Sequence, residues 1–329
     1  MDNRQKTILV TGGAGYIGSV LTGLLLERNY KVISIDNLSF GGNSLLSYIN
    51  HPRFSLIPGD ITNQDDLSKA FTNINSVIHL AAIVGDPQCA KNPDLAIKVN
   101  KKGSELLCNI SVDKGVEKFI FASTCSNYGK MTDPDGFVNE ETSLNPVSLY
   151  AELKVAFEHY LFNQISSDFN PVCLRFATAY GLSPRPRFDL TVNEFTRDLV
   201  LKRNLDIYGE KFWRPYCHTV DLSKAIINVI EAPLAKIKGQ TFNVGDNNEN
   251  YQKQSLVEMI LKQLPDRTNL VNYIHRDEDP RDYRVNFDKI NNILDFKITK
   301  TVNEGIKEFI DAIQTGLIRN PDDNIYRNI

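Results

Sequence analysis

Tyr150 and Lys154 are the pair in this sequence best suited to moving a proton. They stand four apart in Tyr150-Ala151-Glu152-Leu153-Lys154, so on a helix they share one face. A phenol with a pKa of about 10 is a poor base at neutral pH. A neighbouring ammonium, together with a positively charged hydride acceptor, favours the phenolate, and Tyr150 can then take a proton from a hydroxyl while hydride leaves the same carbon. Pro146 precedes the pair and fits a helix start. A third candidate, Thr124, lies in Ser123-Thr124-Cys125-Ser126-Asn127-Tyr128-Gly129, just after the apolar run Phe119–Ala122. Hydroxyls at the carboxyl end of a strand point into the crevice where open α/β sheets bind ligands. Thr124 can share the hydrogen bond to the reacting oxygen there.

Hydride needs an acceptor, and the N-terminal segment supplies a place for one. In Thr11-Gly12-Gly13-Ala14-Gly15-Tyr16-Ile17-Gly18, glycines 12, 15 and 18 are spaced three apart. The turn falls between a predicted strand, Ile8–Val10, and a predicted helix that runs to about Arg28. Glycine permits the tight turn and close approach of the backbone to a pyrophosphate, which the helix N-terminus then faces with free N–H groups. Asp36, followed by Asn37, ends the second strand 18 residues past Gly18, where a carboxylate accepts hydrogen bonds from ribose hydroxyls. No Lys or Arg lies between Val32 and Pro52 to neutralise a 2′-phosphate, so NAD is expected rather than NADP. Asp60-Ile61 follows the third strand. Its carboxylate can reach an adenine amino group or can cap a helix over Asn63–Phe71, and the local sequence leaves both open.

Short apolar runs at Val32–Ile35, Phe54–Ile57, Val77–Leu80, Phe119–Ala122 and Val172–Phe176 alternate with helical stretches. That pattern predicts an α/β fold, a doubly wound parallel Rossmann sheet. It covers residues 1–181, with a return strand near 241–245. Residues 182–329 read as a smaller C-terminal α/β lobe, opening on the helix-breaking Leu182-Ser183-Pro184-Arg185-Pro186-Arg187 and continuing in helices near Val192–Lys202 and Gln254–Gln263. The last residues, Asn320–Ile329, read as a loosely held polar tail. A net charge of −3 gives no support for a nucleic-acid surface. No apolar run is long enough to span a membrane, and the N-terminus lacks a signal-peptide stretch. The cysteines, at 89, 108, 125, 173 and 217, are dispersed without a C-x-x-C pair, which argues against a disulfide framework or a metal site. The protein is expected to be cytoplasmic.

The segments TGGAGYIG, IDN, HLAA, STCSNYG and YAELK, in this order, resemble the extended short-chain dehydrogenase/reductase family of NAD-dependent nucleotide-sugar epimerases and dehydratases, in its UDP-galactose 4-epimerase-like group. The resemblance implies that Thr124, Tyr150 and Lys154 are catalytic. It implies that Tyr16, Ile17, Ile61, Leu80, Ala81, Ala82, Asn100 and Phe176 join the glycines and the two aspartates around NAD. Phe212-Trp213-Arg214-Pro215-Tyr216-Cys217-His218 is similar to a family segment whose arginine binds the substrate diphosphate. Asp279-Pro280-Arg281-Asp282-Tyr283 resembles a later substrate loop. Cys125, Ser126, Thr178, Arg187, Asn193, Arg214 and Arg281 are the expected substrate contacts, with Arg185 a further candidate for phosphate. Helices near Pro93–Val112 and Leu149–Ile165 would pair two subunits in a homodimer.

Two departures narrow the chemistry. Dehydratases of the family carry an Asp-Glu pair directly after the catalytic Thr, and here Cys125 and Ser126 stand instead. Elimination of water then lacks its acid and base, so dehydratase activity is not expected. Cys125 itself reads either as a special acid/base or as a small apolar filler. Thr178 stands near the usual position of an Asn that touches the diphosphate. The expected activity is epimerisation at C4 of a nucleotide-linked sugar. The alternatives are a net C4 dehydrogenase or ketoreductase, with SPRPRFDLTVNEF and EDPRDYRV resembling a GDP-sugar or GDP-heptose branch of polysaccharide pathways, and a non-catalytic NAD-binding regulator.

Overall fold

The computed structural model describes residues 6–131, 133, 136–276 and 281–328. Asp279 and Pro280 of the expected substrate loop lie outside them. Seven parallel strands form the main sheet: β1 (Thr7–Thr11), β2 (Lys31–Asp36), β3 (Phe54–Pro58), β4 (Ser76–His79), β5 (Lys118–Thr124), β6 (Asn170–Phe176) and β10 (Thr241–Val244). Their order is β3-β2-β1-β4-β5-β6-β10, the doubly wound arrangement expected from the strand–helix alternation. The chain reverses direction of winding between β1 and β4, and the carboxyl ends of those strands border the crevice such sheets use for ligands.

Period-two side-chain alternation builds a core on each face of the sheet. Ile8 and Val10 pack with Leu21 and Leu25 of the first helix, Gly18–Glu27, and with Leu222, Ile226 and Val229 of the helix Thr219–Glu231. Leu9 points the other way, to Leu107, Phe121, Phe157 and Leu161 from the helices Ser104–Asp113 and Leu149–Phe162. Lys118, buried at the start of β5, donates to the carbonyls of Ile230 and Ala232 at 2.6 and 2.7 Å, which closes the end of the helix Thr219–Glu231 with a cation.

The smaller lobe is not contiguous in sequence. Its own core gathers Tyr180, Val192, Phe195, Ile207, Tyr216, Leu256, Ile260, Val302 and Ile306. It carries a three-stranded sheet, β11-β9-β7, from β7 (Thr178–Tyr180), β9 (Trp213–His218) and β11 (Asn250–Gln252). A two-stranded parallel pair joins β8 (Leu205–Tyr208) to β12 (Val271–Ile274). Between these elements, residues 219–244 return to the main sheet as a covering helix and its last strand. The expected return strand is therefore present, and a single cut at 181 does not separate the two cores.

The tail is held, contrary to expectation. Tyr326 stacks edge-on against Phe188, its carbonyl accepts from the Phe188 N–H at 2.8 Å, and Asn328 N–H donates to Asp189 at 3.1 Å. Polar composition hid these contacts because their partners lie about 140 residues earlier. Among the described residues, no helix is long and apolar enough to cross a membrane.

Candidate active site

The glycine turn is shaped by contacts that leave no space for side chains. Gly12 has φ +74°, and a Cβ there would meet the Ala81 backbone nitrogen at 2.9 Å. A Cβ on Gly18 would meet the Gly12 carbonyl oxygen at 2.2 Å. The turn thus lies directly against the end of β4, and the first helix starts with no side chain capping it. Its amide groups are left to face a ligand. Gly12, Gly15, Tyr16, Ile17 and Gly18 all line one cleft.

Asp36 closes one end of that cleft. Its carboxylate oxygens accept from the N–H groups of Ala14 and Leu38 at 2.9 and 2.8 Å, which fixes the side chain and leaves lone pairs for hydroxyl donors. Burial raises its pKa, against the lowering effect of those two N–H groups and of Arg185. Asn37, Asp60 and Ile61 line the same end. The helix Gln64–Ala70 is capped by Asn63, which accepts from Asp65 N–H at 2.9 Å, so the capping alternative for Asp60 is excluded. Leu80, Ala81 and Ala82 form the apolar floor, with Phe176 opposite. Asn100 does not line the cleft. It is buried in a π-helical turn, Ile97–Gly103, and pairs with both backbone groups of Ile83 at 2.8 Å. It positions the loop that follows the floor. The cradle, floor and ribose-facing carboxylate fit a nicotinamide dinucleotide.

Thr124, Ser126, Tyr150 and Lys154 meet on the same cleft. The helix that carries Tyr150 and Lys154 begins at Leu149 and is capped by Ser148, whose hydroxyl accepts from Ala151 N–H at 3.3 Å. Pro146 therefore lies outside the helix. Lys154 Nζ donates to the Ala122 carbonyl at 2.7 Å and sits 5.7 Å from the Tyr150 ring centre. Burial pulls its pKa down to about 8. Burial pushes the Tyr150 phenol up, with Cys89 and Asp86 adding to it. Burial thus works against the phenolate, and the expected counterweight is the positive charge of oxidised nicotinamide together with Lys154.

The substrate candidates divide. Ser126, Thr178 and Arg187 line the cleft. Arg187 is paired with Asp189 at 2.6 Å. Cys125 turns away: it is 1% exposed, its thiol donates to the Arg175 carbonyl at 3.2 Å, and burial raises its pKa well above the thiol range. It is a core filler, not an acid or base. Asn193 is fully buried and spends its amide on Gly181 N–H, Tyr16 Oη and the Arg187 carbonyl, so it shapes the loop rather than reaching a nucleotide. Arg214 does not line the cleft: it stacks over Tyr283, which does, at 5.4 Å and donates to the Trp213 carbonyl at 2.7 Å. Arg281 pairs with Asp86 at 2.6 Å, beside Ser148.

Sequence reasoning missed Tyr283, Phe40 and Asn328, all of which line the cleft. Tyr283 is 3.4 Å from Ser126 Oγ and 2% exposed. Its signal was present in the Arg281 motif. Asn328 gave none.

Residues 8–245 match the NAD dependent epimerase/dehydratase family. The chain is 30% identical over 272 residues to a UDP-glucose 4-epimerase of Halalkalibacterium halodurans, covering 77% of this chain and 78% of that one. A UDP-glucuronic acid 4-epimerase from Bacillus cereus, solved with UDP-glucuronic acid and NAD, superposes with a TM-score of 0.84 at 26% identity, over 94% of this chain and 99% of that one. A dTDP-glucose 4,6-dehydratase from Bacillus anthracis, solved with NAD, shares the fold with a TM-score of 0.83 at 24% identity, over 94% and 97%.

Proposed function

Because the chain belongs to the NAD dependent epimerase/dehydratase family, we propose that this NAD-dependent, nucleotide-sugar epimerase/dehydratase-type enzyme is a C4 epimerase and not a dehydratase. The observation that carries this reading is the end of β5. Thr124 faces the cleft with Tyr150 and Lys154, while the next residue, Cys125, is turned into the core. Ser126 then offers only a hydroxyl. A proton can be moved at one carbinol carbon, but no carboxyl pair stands beside it to drive loss of water.

When bound, NAD supplies the hydride acceptor and a positive ring charge. Gly12–Gly18 and Asp36 would hold its diphosphate and ribose, and Leu80–Ala82 would support the nicotinamide half. Thr124 holds the C4 hydroxyl by a hydrogen bond. Tyr150 would take that proton as C4 gives up its hydride to the bound cofactor, and would return it when the same hydride comes back to the other face of the 4-ketosugar. Lys154, fixed by the Ala122 carbonyl, keeps a positive charge near the phenol and orients the cofactor ribose. The same reading makes the protein a homodimer: Leu95, Val112 and Ile165, on or just after the two helices expected to pair, are 46%, 36% and 39% exposed.

NMR of the purified protein with NAD and a panel of UDP-, GDP-, dTDP- and CDP-sugars, heptoses included, tests the activity. A C4 stereoisomer accumulating without net NADH is expected. A 4-keto product with stoichiometric NADH would replace epimerase by net dehydrogenase. A 4-keto-6-deoxy product would overturn the argument from Cys125 and Ser126.

A further inference from the structure

Arg185 is a buried cation in the cofactor cleft with no salt bridge to any described carboxylate. The residue is 6% exposed. Its Nη2 donates to Asn328 Oδ1 at 2.6 Å and, more weakly, to the carbonyls of Ile325 and Arg327 at 3.3 and 3.4 Å. Its Nε is buried with no hydrogen-bond partner. The guanidinium lies 4.0 Å over the Phe40 ring, four residues past Asp36. Arg185, Phe40 and Asn328 all line the cleft beside Tyr16 and Asp36. Neutral oxygens orient a guanidinium but do not balance its charge, and an unbalanced buried charge is strongly unfavourable. Burial and the nearby Arg187 lower its pKa to about 10, against a smaller raising effect of Asp189 and Asp36, neither of which forms a salt bridge with it.

The segment that holds it is a built support. The backbone pairs with Phe188 and Asp189, and Tyr326 packs on Phe188. Ser183, two residues before Arg185, donates to the Tyr16 carbonyl at 2.7 Å, which places this loop against the glycine turn. The anion nearest such a cation is the diphosphate that the turn cradles.

We propose that Arg185, stacked on Phe40 and held by Asn324–Asn328, is the counter-ion of the cofactor diphosphate, and that this segment straps the adenosine end of the cofactor into the cleft. Neutralising the diphosphate relieves the cation and fixes the strap. Release of the cofactor requires Asn328 to move, so the strap slows dissociation. Retention of the dinucleotide is independent of which sugar carbon is oxidised.

The test is cofactor binding to the full-length protein freed of nucleotide. NADH binding is followed by fluorescence, and ADP-ribose and adenosine are used as competing probes. Arg185→Met should weaken NADH and ADP-ribose about 10- to 100-fold, the scale of a charge-assisted contact, and leave adenosine unchanged. Arg185→Lys should recover part of the ADP-ribose affinity. Asn328→Ala, which keeps the charge and removes its 2.6 Å anchor, should weaken NADH about threefold to tenfold and speed its dissociation. This second variant decides the matter if Arg185→Met does not fold. Wild-type affinity for ADP-ribose in Arg185→Met, or unchanged NADH affinity in Asn328→Ala, overturns the proposal. So does a loss confined to the nucleotide-sugar, which would assign the cation to the substrate diphosphate.

Discussion

Two buried arginines 10 positions apart show what the cleft does differently from the layer beneath it. Arg175, on β6, meets Glu158 of the helix Leu149–Phe162 through Nη2 at 2.7 Å and Nε at 3.1 Å, and donates to Tyr128 Oη at 3.1 Å. Glu158 also receives Ser123 Oγ and, at 3.0 Å, Asn127 Nδ2. Burial would lower the arginine's pKa, but Glu158 and Tyr128 more than offset it and the net direction is upward. Arg185 has no such carboxylate, and its pKa goes down. Lys154, whose Nζ donates to a neutral carbonyl, goes the same way. A buried charge answered within the protein ties strand to helix. One left unanswered in a cleft is stabilised by what binds there.

The largest effect that should follow from this contrast is on chemistry. Tyr150→Phe is expected to lower turnover about 10²- to 10⁴-fold with NADH binding and thermal stability retained. Activity near wild type would remove the phenol from the mechanism. On the architectural side, Glu158→Ala strands Arg175 and should destabilise the fold by about 3–5 kcal/mol in urea unfolding. A change under about 1 kcal/mol would mean the pair is not what ties β6 to its helix.

Lys154→Met sharpens the comparison, because loss of a cleft cation should help the empty protein. Turnover is lost, but the nucleotide-free variant should unfold at a higher temperature than wild type. Lys154 is lowered from 10.5 to about 8, so between those pH values the unfolded chain binds more protons than the folded one. Wild-type stability should therefore rise from pH 8 to 10.5, by up to about 3 kcal/mol, and the variant should lack that part of the slope. A destabilised variant, or an unaltered pH profile, would place Lys154 with Arg175 among the structural cations. The smallest effect belongs to a partly exposed ion pair. The Asp86–Arg281 pair is 24% and 40% exposed, and Arg281→Ala should change stability by no more than about 1 kcal/mol.

Local spacing made the residues that gather on the cleft legible. Three glycines in one turn, a carboxylate at the next strand end and a phenol four residues from an ammonium are each contained in a short segment. Their neighbours were not. Cys125 and Ser126 are adjacent in sequence, yet one enters the core and the other the cleft, and only the local backbone decides which. Ser148 outcompetes Pro146 for the helix start because its hydroxyl satisfies an amide that proline cannot. Asn100 acts through Ile83 rather than on a ligand. Arg185, Phe40 and Asn328 come together from three places separated by more than 140 residues. No periodicity or motif links such distant positions, and the tail's polar composition pointed away from the contact it makes.

The last strand of the main sheet has a consequence during synthesis. β6 ends at Phe176, and its partner β10 begins at Thr241, 65 residues later. At about 5–20 residues per second, a ribosome needs roughly 3–13 s to make that interval. Throughout it β6, whose seven residues are all buried in the finished protein, is a bare edge able to pair with another nascent chain. A transcript truncated near Gly181 would make that exposure permanent. The first part of the smaller lobe, β7 to β9, must be translated before the larger one can be sealed, and the rest of it follows.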